Sequence, residues 1–119
     1  MEVREQIKLR QICHARSGDK GDIVNIGLIV YDATQYDWVK KHVTAEAVSI
    51  FLKDIAPGPV ERYELPKIGA LNFVLHNALA GGVTRSLMID GHGKGFSAIL
   101  LEMEIEAPPE FQVRTTDAS

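Results

Sequence analysis

The apolar run from Ile23 to Tyr31 is the feature that most constrains the fold of this chain. It reads Ile-Val-Asn-Ile-Gly-Leu-Ile-Val-Tyr and is rich in β-branched residues. A short run of this kind predicts a central β-strand that is covered on both faces. Two positions depart from the pattern, because Asn25 needs hydrogen-bond partners if it is buried and Gly27 indicates a bulge or a close backbone approach.

The segment before this run concentrates charge and glycine. Two cations, two anions and two glycines lie between Cys13 and Ile23. A tight hairpin needs only two turn residues, so we predict a longer connection here, over residues 16–22. Connections with this much chemistry commonly bind a ligand or brace the fold. The predicted site residues are His14, Arg16, Ser17, Gly18, Asp19, Lys20, Gly21, Asp22 and Asn25.

Two interpretations of this segment are open. In the first, the glycines let backbone N–H groups converge and the two cations supply charge, which suits an anionic small molecule such as a CoA phosphate or a carboxylate. In the second, the two aspartates form Asx turns and pair with the cations to hold the shape of the loop. The phosphate-loop pattern is absent, so nucleotide hydrolysis is not supported.

We predict no metal site and no cofactor. Asp19, Asp22 and Asn25 are spaced like the ligands of a hard cation, but the EF-hand order is absent and the neighbouring cations would compete with the metal. No two of the four histidines have the helical spacing of a zinc-ligand pair. The single cysteine, Cys13, cannot form an internal disulfide, and its apolar surroundings favour a small buried side chain.

Three further residues are secondary candidates. A helix predicted over about residues 70–79 places Asn72 one turn from His76, so His76 is either a general base oriented by an amide or an ordinary surface histidine. Arg85 follows the pair Gly81-Gly82 and could lie beside a bound acid. The same double glycine is also typical of the end of a helix followed by a turn.

The remaining pattern predicts an α+β sandwich with one mixed sheet of about five strands and helices on one face. Strands are predicted over residues 7–14, 23–31, 60–65, 84–90 and 97–106, with a hairpin connection over 90–95. Besides the helix over 70–79, helices are predicted over 35–41 and after an N-cap at Thr44. We expect residues 1–107 to form one domain and residues 108–119 to form a flexible tail.

Composition excludes several classes of function. The formal net charge is −3 and no run of Lys or Arg exceeds two residues, which argues against nucleic-acid binding and against a polybasic membrane tether. No stretch approaches the ~20 apolar residues that span a bilayer, and the first residues contain no secretory signal. We therefore expect a cytoplasmic protein.

Several linked motifs occur in order along the chain. They are Arg16-Ser-Gly-Asp-Lys-Gly-Asp22, Asn25-Ile-Gly27, Arg62-Tyr-Glu-Leu-Pro66, Ala70-Leu-Asn-Phe-Val74, Gly81-Gly-Val83, Ser86-Leu87 and Gly93-Lys94. In these motifs the chain, from about Leu9 to Ile105, resembles the C-terminal ferredoxin-fold-like domain of the AtuA family, named for acyclic terpene utilisation. The resemblance implies that the sandwich is ferredoxin-like.

In that family the domain is fused behind a larger N-terminal domain or encoded as a separate small protein, and this chain resembles the separate form. The resemblance implies a bacterial role in catabolism of isoprenoid or other branched acyl compounds, near acyl-CoA enzymes, but it transfers no catalytic residues. Two positions differ from the family pattern: Lys67-Ile68 replaces the usual Asn-Leu, and Met88 lies where relatives often have a basic residue. If that basic residue helps to hold an anion, the site here is weaker or differently specific.

Two functions follow as alternatives. The first is an accessory interaction module that docks onto a larger AtuA-like protein and forms homo-oligomers through an uncovered sheet face, with Ile12, Tyr31 and Tyr63 as candidate apolar groups. The second is a small enzyme or ligand-binding protein for an acyl-CoA or a carboxylic acid. In that case the two cations of segment 16–22 hold the anion and one of its aspartates is the general base.

Overall fold

Antiparallel strands form the framework of the structure, a computed structural model that describes residues 5–77 and 94–109. The strands within these ranges are β1 (Gln6–Lys8), β2 (Cys13–Lys20), β3 (Ile23–Val30), β4 (Val60–Leu65), β5 (Ala70–Leu75) and β6 (Glu104–Glu106). The main sheet has the order β2-β3-β5-β4, and β1 pairs with β6 in a second, two-stranded sheet. Every pairing among these six strands is antiparallel.

Three helices in the described residues cover one face of the main sheet. They are α1 (Tyr36–His42), α2 (Ala45–Phe51) and α3 (Lys94–Leu100), of which α3 contacts β2 and β3 and α2 contacts β4. The predicted α+β, ferredoxin-like sandwich is thereby confirmed. In detail, the described strands form one antiparallel sheet of four and one of two rather than a single mixed sheet of about five. No helix within the described ranges is long and apolar enough to cross a membrane.

The strand register gives the main sheet two different faces. Because residues opposite one another in an antiparallel pair share a face, β3 and β5 project one set of side chains toward the helices. Each of these side chains is at most 1% exposed: Val24, Ile26, Leu28, Leu71, Phe73 and Leu75. We call this side the helix face and the other side the open face. β3 is central, as predicted, but it is fully buried on the helix face only, so the predicted covering of both faces is wrong.

The predicted strand over residues 7–14 is interrupted. A 3-10 helix, Leu9–Gln11, separates β1 from β2, and the backbone N–H of Lys8 donates to Oε1 of Gln11 at 3.0 Å. Because this turn shifts the alternation of side chains along the strand, Ile12 lies in the core and is only 2% exposed. The prediction that Ile12 contributes to an exposed surface is therefore wrong.

The helix predicted over residues 70–79 is wrong where the structure describes it. Leu71 and Leu75 have helical spacing, but they also fit the two-residue period of a strand, and Phe73 between them is buried as well. The segment pairs with β3 on one side and with β4 on the other, so tertiary pairing decides the ambiguity. The predicted cap at Gly81-Gly82 lies outside the described residues.

The strand predicted over residues 97–106 is correct only at its end. Phe96 and Leu100, four residues apart, are completely buried on α3, and the strand is confined to β6. Because apolar residues alternate around Met103, the predicted strand begins too early in the sequence. The predicted strand over 84–90 lies outside the described residues, and so do residues 110–119 of the predicted tail.

Between β3 and β4 the predictions are confirmed. Helix α1 matches the expected helix over residues 35–41, and the Thr44 side chain accepts a hydrogen bond from the backbone N–H of Ala47 at 3.0 Å. Gly58, between α2 and β4, lies against the backbone of His76, where an added Cβ would collide with the carbonyl oxygen. The backbone of residues 57–59 is thus closely packed beside the end of β5.

Arg62 fastens α1 to the main sheet. Its guanidinium projects from the helix face of β4 and donates to the backbone carbonyls of Lys40 at 2.6 Å and Val43 at 3.0 Å. The other nitrogen pairs with Glu64 at 3.1 Å. These carbonyls at the end of a helix have no partner within it, so a cation there satisfies them and complements the helix dipole.

We expect Arg62→Ala to lower the free energy of unfolding by about 2–3 kcal/mol, because charge-assisted hydrogen bonds to half-buried carbonyls are lost. Arg62→Lys restores only part of this, since one ammonium group cannot reproduce the planar fork. Urea denaturation measures both, with Lys53→Ala, in the exposed turn that follows α2, as the control. An unchanged unfolding midpoint in Arg62→Ala would contradict the assignment.

Candidate functional site

The charged segment is a strand with a two-residue turn. β2 and β3 remain paired from Cys13↔Val30 to Lys20↔Ile23, which leaves only Gly21 and Asp22 between them. Gly21 has a φ of 64°, the conformation that a type II′ hairpin turn requires at its first central position. The predicted long connection over residues 16–22 is therefore wrong. Strand pairing continues to Lys20 because β3 offers a backbone partner at every position.

Strand alternation separates the four charged side chains. Arg16 and Lys20 belong to the open face, whereas Asp19 lies opposite Val24 and belongs to the helix face. Within the described part of the chain, neither cation forms an ion pair with Asp19 or Asp22. The described residues thus give no support to the interpretation of this segment as an internal ionic brace.

The same alternation separates the oxygen atoms considered for a hard cation. Asn25 lies opposite Gly18 on the open face, across the sheet from Asp19. Asp22 lies in the turn between the two strands. The three side chains therefore do not converge.

The open face collects most of the predicted site residues in cross-strand rows. In the order β2, β3, β5, β4 the rows are His14–Ile29–Ala70–Leu65, Arg16–Gly27–Asn72–Tyr63 and Gly18–Asn25–Val74–Glu61. Lys20 and Ile23 begin a fourth row, whereas Ser17 and Asp19 lie on the helix face. Arg85 lies outside the described residues. The predicted residues on the open face thus share one surface rather than one loop.

This surface is apolar and aromatic as well as polar. Tyr63 is 51% exposed, Leu65 43% and Ile23 38%. Tyr31, which follows β3 on the same alternation, is 67% exposed and stacks on the His14 ring with centroids 5.2 Å apart. The predictions that Tyr31 and Tyr63 are exposed apolar groups are confirmed.

Polar contacts cross the centre of the open face. The Asn72 amide donates from Nδ2 to Oδ1 of Asn25 at 3.3 Å. His76 is not oriented by Asn72, in contrast to the prediction that placed both residues on one helix. Instead its Nε2 lies 3.6 Å from Oε2 of Glu61, beyond hydrogen-bond distance but close enough for an electrostatic contact.

Glu61 joins this group through a short hydrogen bond. The Tyr63 hydroxyl donates to Oε1 of Glu61 at 2.6 Å, which lowers the pKa of the carboxyl group and raises the pKa of the tyrosine. Glu61 is therefore a persistent negative charge on β4 at neutral pH. The sequence predictions missed it, although alternation along β4 places Glu61, Tyr63 and Leu65 on one side of the sheet.

A groove between β2 and α3 forms a concave surface next to the predicted segment. It is lined by Ala15, Arg16, Ser17, Ser97, Ala98 and Leu101. Of the predicted site residues, Arg16 and Ser17 contribute to it. Binding of an anionic small molecule at these residues stays a prediction.

Cys13 is the first residue of β2 and is 1% exposed. Burial raises the pKa of its thiol to about 12, so the reactive thiolate is scarce at neutral and mildly alkaline pH. The prediction of a small buried side chain is confirmed, and thiol catalysis by Cys13 is not supported.

We expect the folded chain to react with iodoacetamide at mildly alkaline pH at least about a thousandfold more slowly than the urea-unfolded chain, because burial depletes the thiolate and blocks access. Mass spectrometry of the alkylated protein follows both rates, and Cys13→Ser corrects for reaction at other side chains. Comparable rates in the two states would show that the thiol is accessible.

Comparison with protein-family models gives a match over most of the chain. A family model described as AtuA ferredoxin-like domain matches residues 7–106. No curated protein and no solved structure matches the chain. The matched range runs from β1 to β6 and includes every strand of the main sheet.

Proposed function

Because this chain belongs to the AtuA ferredoxin-like domain family, we propose that it is an accessory interaction module whose open face docks another protein chain. The module supports catabolism of isoprenoid or other branched acyl compounds together with a larger AtuA-like protein. The observation that carries this proposal is the contrast between the two faces of one sheet. Helices bury the helix face, whereas exposed apolar and aromatic side chains occupy the open face.

The composition of the open face suits a protein partner. Aromatic residues and arginine are enriched at protein interfaces, and this face presents Tyr31, Tyr63 and Arg16 together. Its exposed Leu65 and Ile23 add apolar side chains to the same sheet surface. Burying them against another chain removes that apolar area from water.

The polar groups of the open face fit docking better than catalysis. Small-molecule sites are concave and surround their ligand, whereas Glu61, Tyr63 and Asn72 project side by side from neighbouring strands. Glu61 and Tyr63 already satisfy one another through their hydrogen bond. The hydroxyl and one carboxylate oxygen are thereby hydrogen-bonded, and a cation of a docked chain can pair with the charge that remains on Glu61.

The three tyrosines allow a direct test, since Tyr31 and Tyr63 lie on the open face and Tyr36 is 7% exposed. The dilute chain is nitrated with tetranitromethane, alone and with an excess of the larger N-terminal AtuA-family domain from the same genome. We expect several-fold protection of Tyr31 and Tyr63 in the mixture or at high chain concentration, because docking covers their rings. Peptide mass spectrometry measures each site.

Tyr36 serves as the internal control, because burial keeps its nitration low in every sample. Each tyrosine is compared with itself, so the raised pKa of Tyr63 does not bias the result. If Tyr31 and Tyr63 react equally in the dilute, concentrated and mixed samples, the open face docks neither a second copy nor the larger domain, and the proposed function is wrong.

A further inference from the structure

We propose that the chain docked on the open face is a second copy of this chain, packed face to face about a two-fold axis parallel to the strands. This inference rests on the proposed function, because it names the protein that covers the open face. Three features carry it: the placement of charge, the sizes of side chains along the rows and the exposure of apolar groups. In that case the larger AtuA-like protein binds the outer surface of this dimer.

Charge on the open face is divided between the two outer strands of the described sheet. β2 contributes the cations Arg16 and Lys20, and β4 contributes the anion Glu61. Neither cation has an ion-pair partner among the described residues. The surface therefore carries opposite charges at its two margins, which is the arrangement that a self-complementary interface needs.

Symmetry decides which margins meet. Sheets that pack face to face keep their strands roughly aligned. A two-fold axis parallel to the strands, midway between β3 and β5, places β2 of one copy over β4 of the other. An axis across the strands would place β2 over β2 and bring like charges together, which is unfavourable. Charge therefore selects the axis parallel to the strands.

Under this axis each row meets the same row of the other copy in reverse order. Gly18 then faces Glu61 of the partner subunit, and Gly27 faces Asn72 of the partner subunit. At both of these positions a larger side chain lies over a glycine, so the glycines leave room for the facing groups.

The position over Gly18 receives the carboxylate. Open space surrounds Gly18, with no heavy atom within 4 Å of an added Cβ. Arg16 and Lys20 lie two residues to either side, about 7 Å along the strand, which their long side chains can span. Glu61 of the partner subunit thus lies between two cations, and the two-fold axis repeats the arrangement on the other side.

The neighbouring row adds an aromatic contact. Arg16 faces Tyr63 of the partner subunit, and a guanidinium over a tyrosine ring gains a cation–π interaction in addition to the ion pair. The hydrogen bond from Tyr63 to Glu61 fixes both groups of one chain relative to each other. They can therefore approach the cations as one preorganised unit.

Charge reversal tests the pairing by sedimentation equilibrium. We expect a wild-type dimer, and we expect Glu61→Lys and the double variant Arg16→Glu/Lys20→Glu each to raise the dimer dissociation constant at least about tenfold, because like charges then face each other. Mixing the two variants should restore a heterodimer, since every facing pair is again of opposite sign. The triple variant Arg16→Glu/Lys20→Glu/Glu61→Lys should form a homodimer for the same reason.

Asp19→Lys is the matched control for Glu61→Lys, because it makes the same change of charge on β2 but on the helix face. Circular dichroism and urea midpoints confirm that each variant is folded, and the triple variant is a second check, since it dimerises only if folded. The inference is overturned by a monomeric wild-type chain, by reversals that leave the dimer unaffected, by equal weakening in Asp19→Lys, or by failure of the complementary mixture to associate. A monomer whose Tyr31 and Tyr63 are protected by the larger domain would overturn this inference and leave the proposed function intact.

Discussion

Complete burial of one side of the β3–β5 pair is the constraint on which the rest of the structure depends. Val24, Ile26 and Phe73 cannot leave the helix face without exposing large apolar side chains to water. Because side chains alternate along a strand, this burial also fixes which residues point the other way. The arrangement of Asn25 and Asn72 on the open face is thus a consequence of core packing.

Polar contacts add to the apolar packing that holds α1 in place. Arg62 projects into the helix side of the sheet and satisfies the carbonyls at the end of α1, and the Trp38 indole donates to the carbonyl oxygen of Glu106 at 2.8 Å. These bonds tie α1 to both sheets. They hold α1 on the helix face of the main sheet, away from the open face.

The sequence is sufficient where a single local signal decides the structure. The N-cap at Thr44 and the strand over Val60–Leu65, which Pro66 ends, are predicted correctly. It is insufficient where two periods fit the same residues, as in β5, whose pairing with two neighbouring strands is a long-range property. The candidate site shows the same division: its residue types are visible in the sequence, but their distribution over two faces depends on the register of β2 against β3.

The brevity of the Gly21-Asp22 turn has a consequence for evolution of the surface. Side chains in a strand change sides with every one-residue shift of register. One extra residue within β2 would therefore move Arg16 from the solvent side to the apolar core, whereas lengthening the turn itself would leave the ladder in place. Natural variation in this family should accumulate at the tip of the hairpin and spare the length of the strand that precedes it.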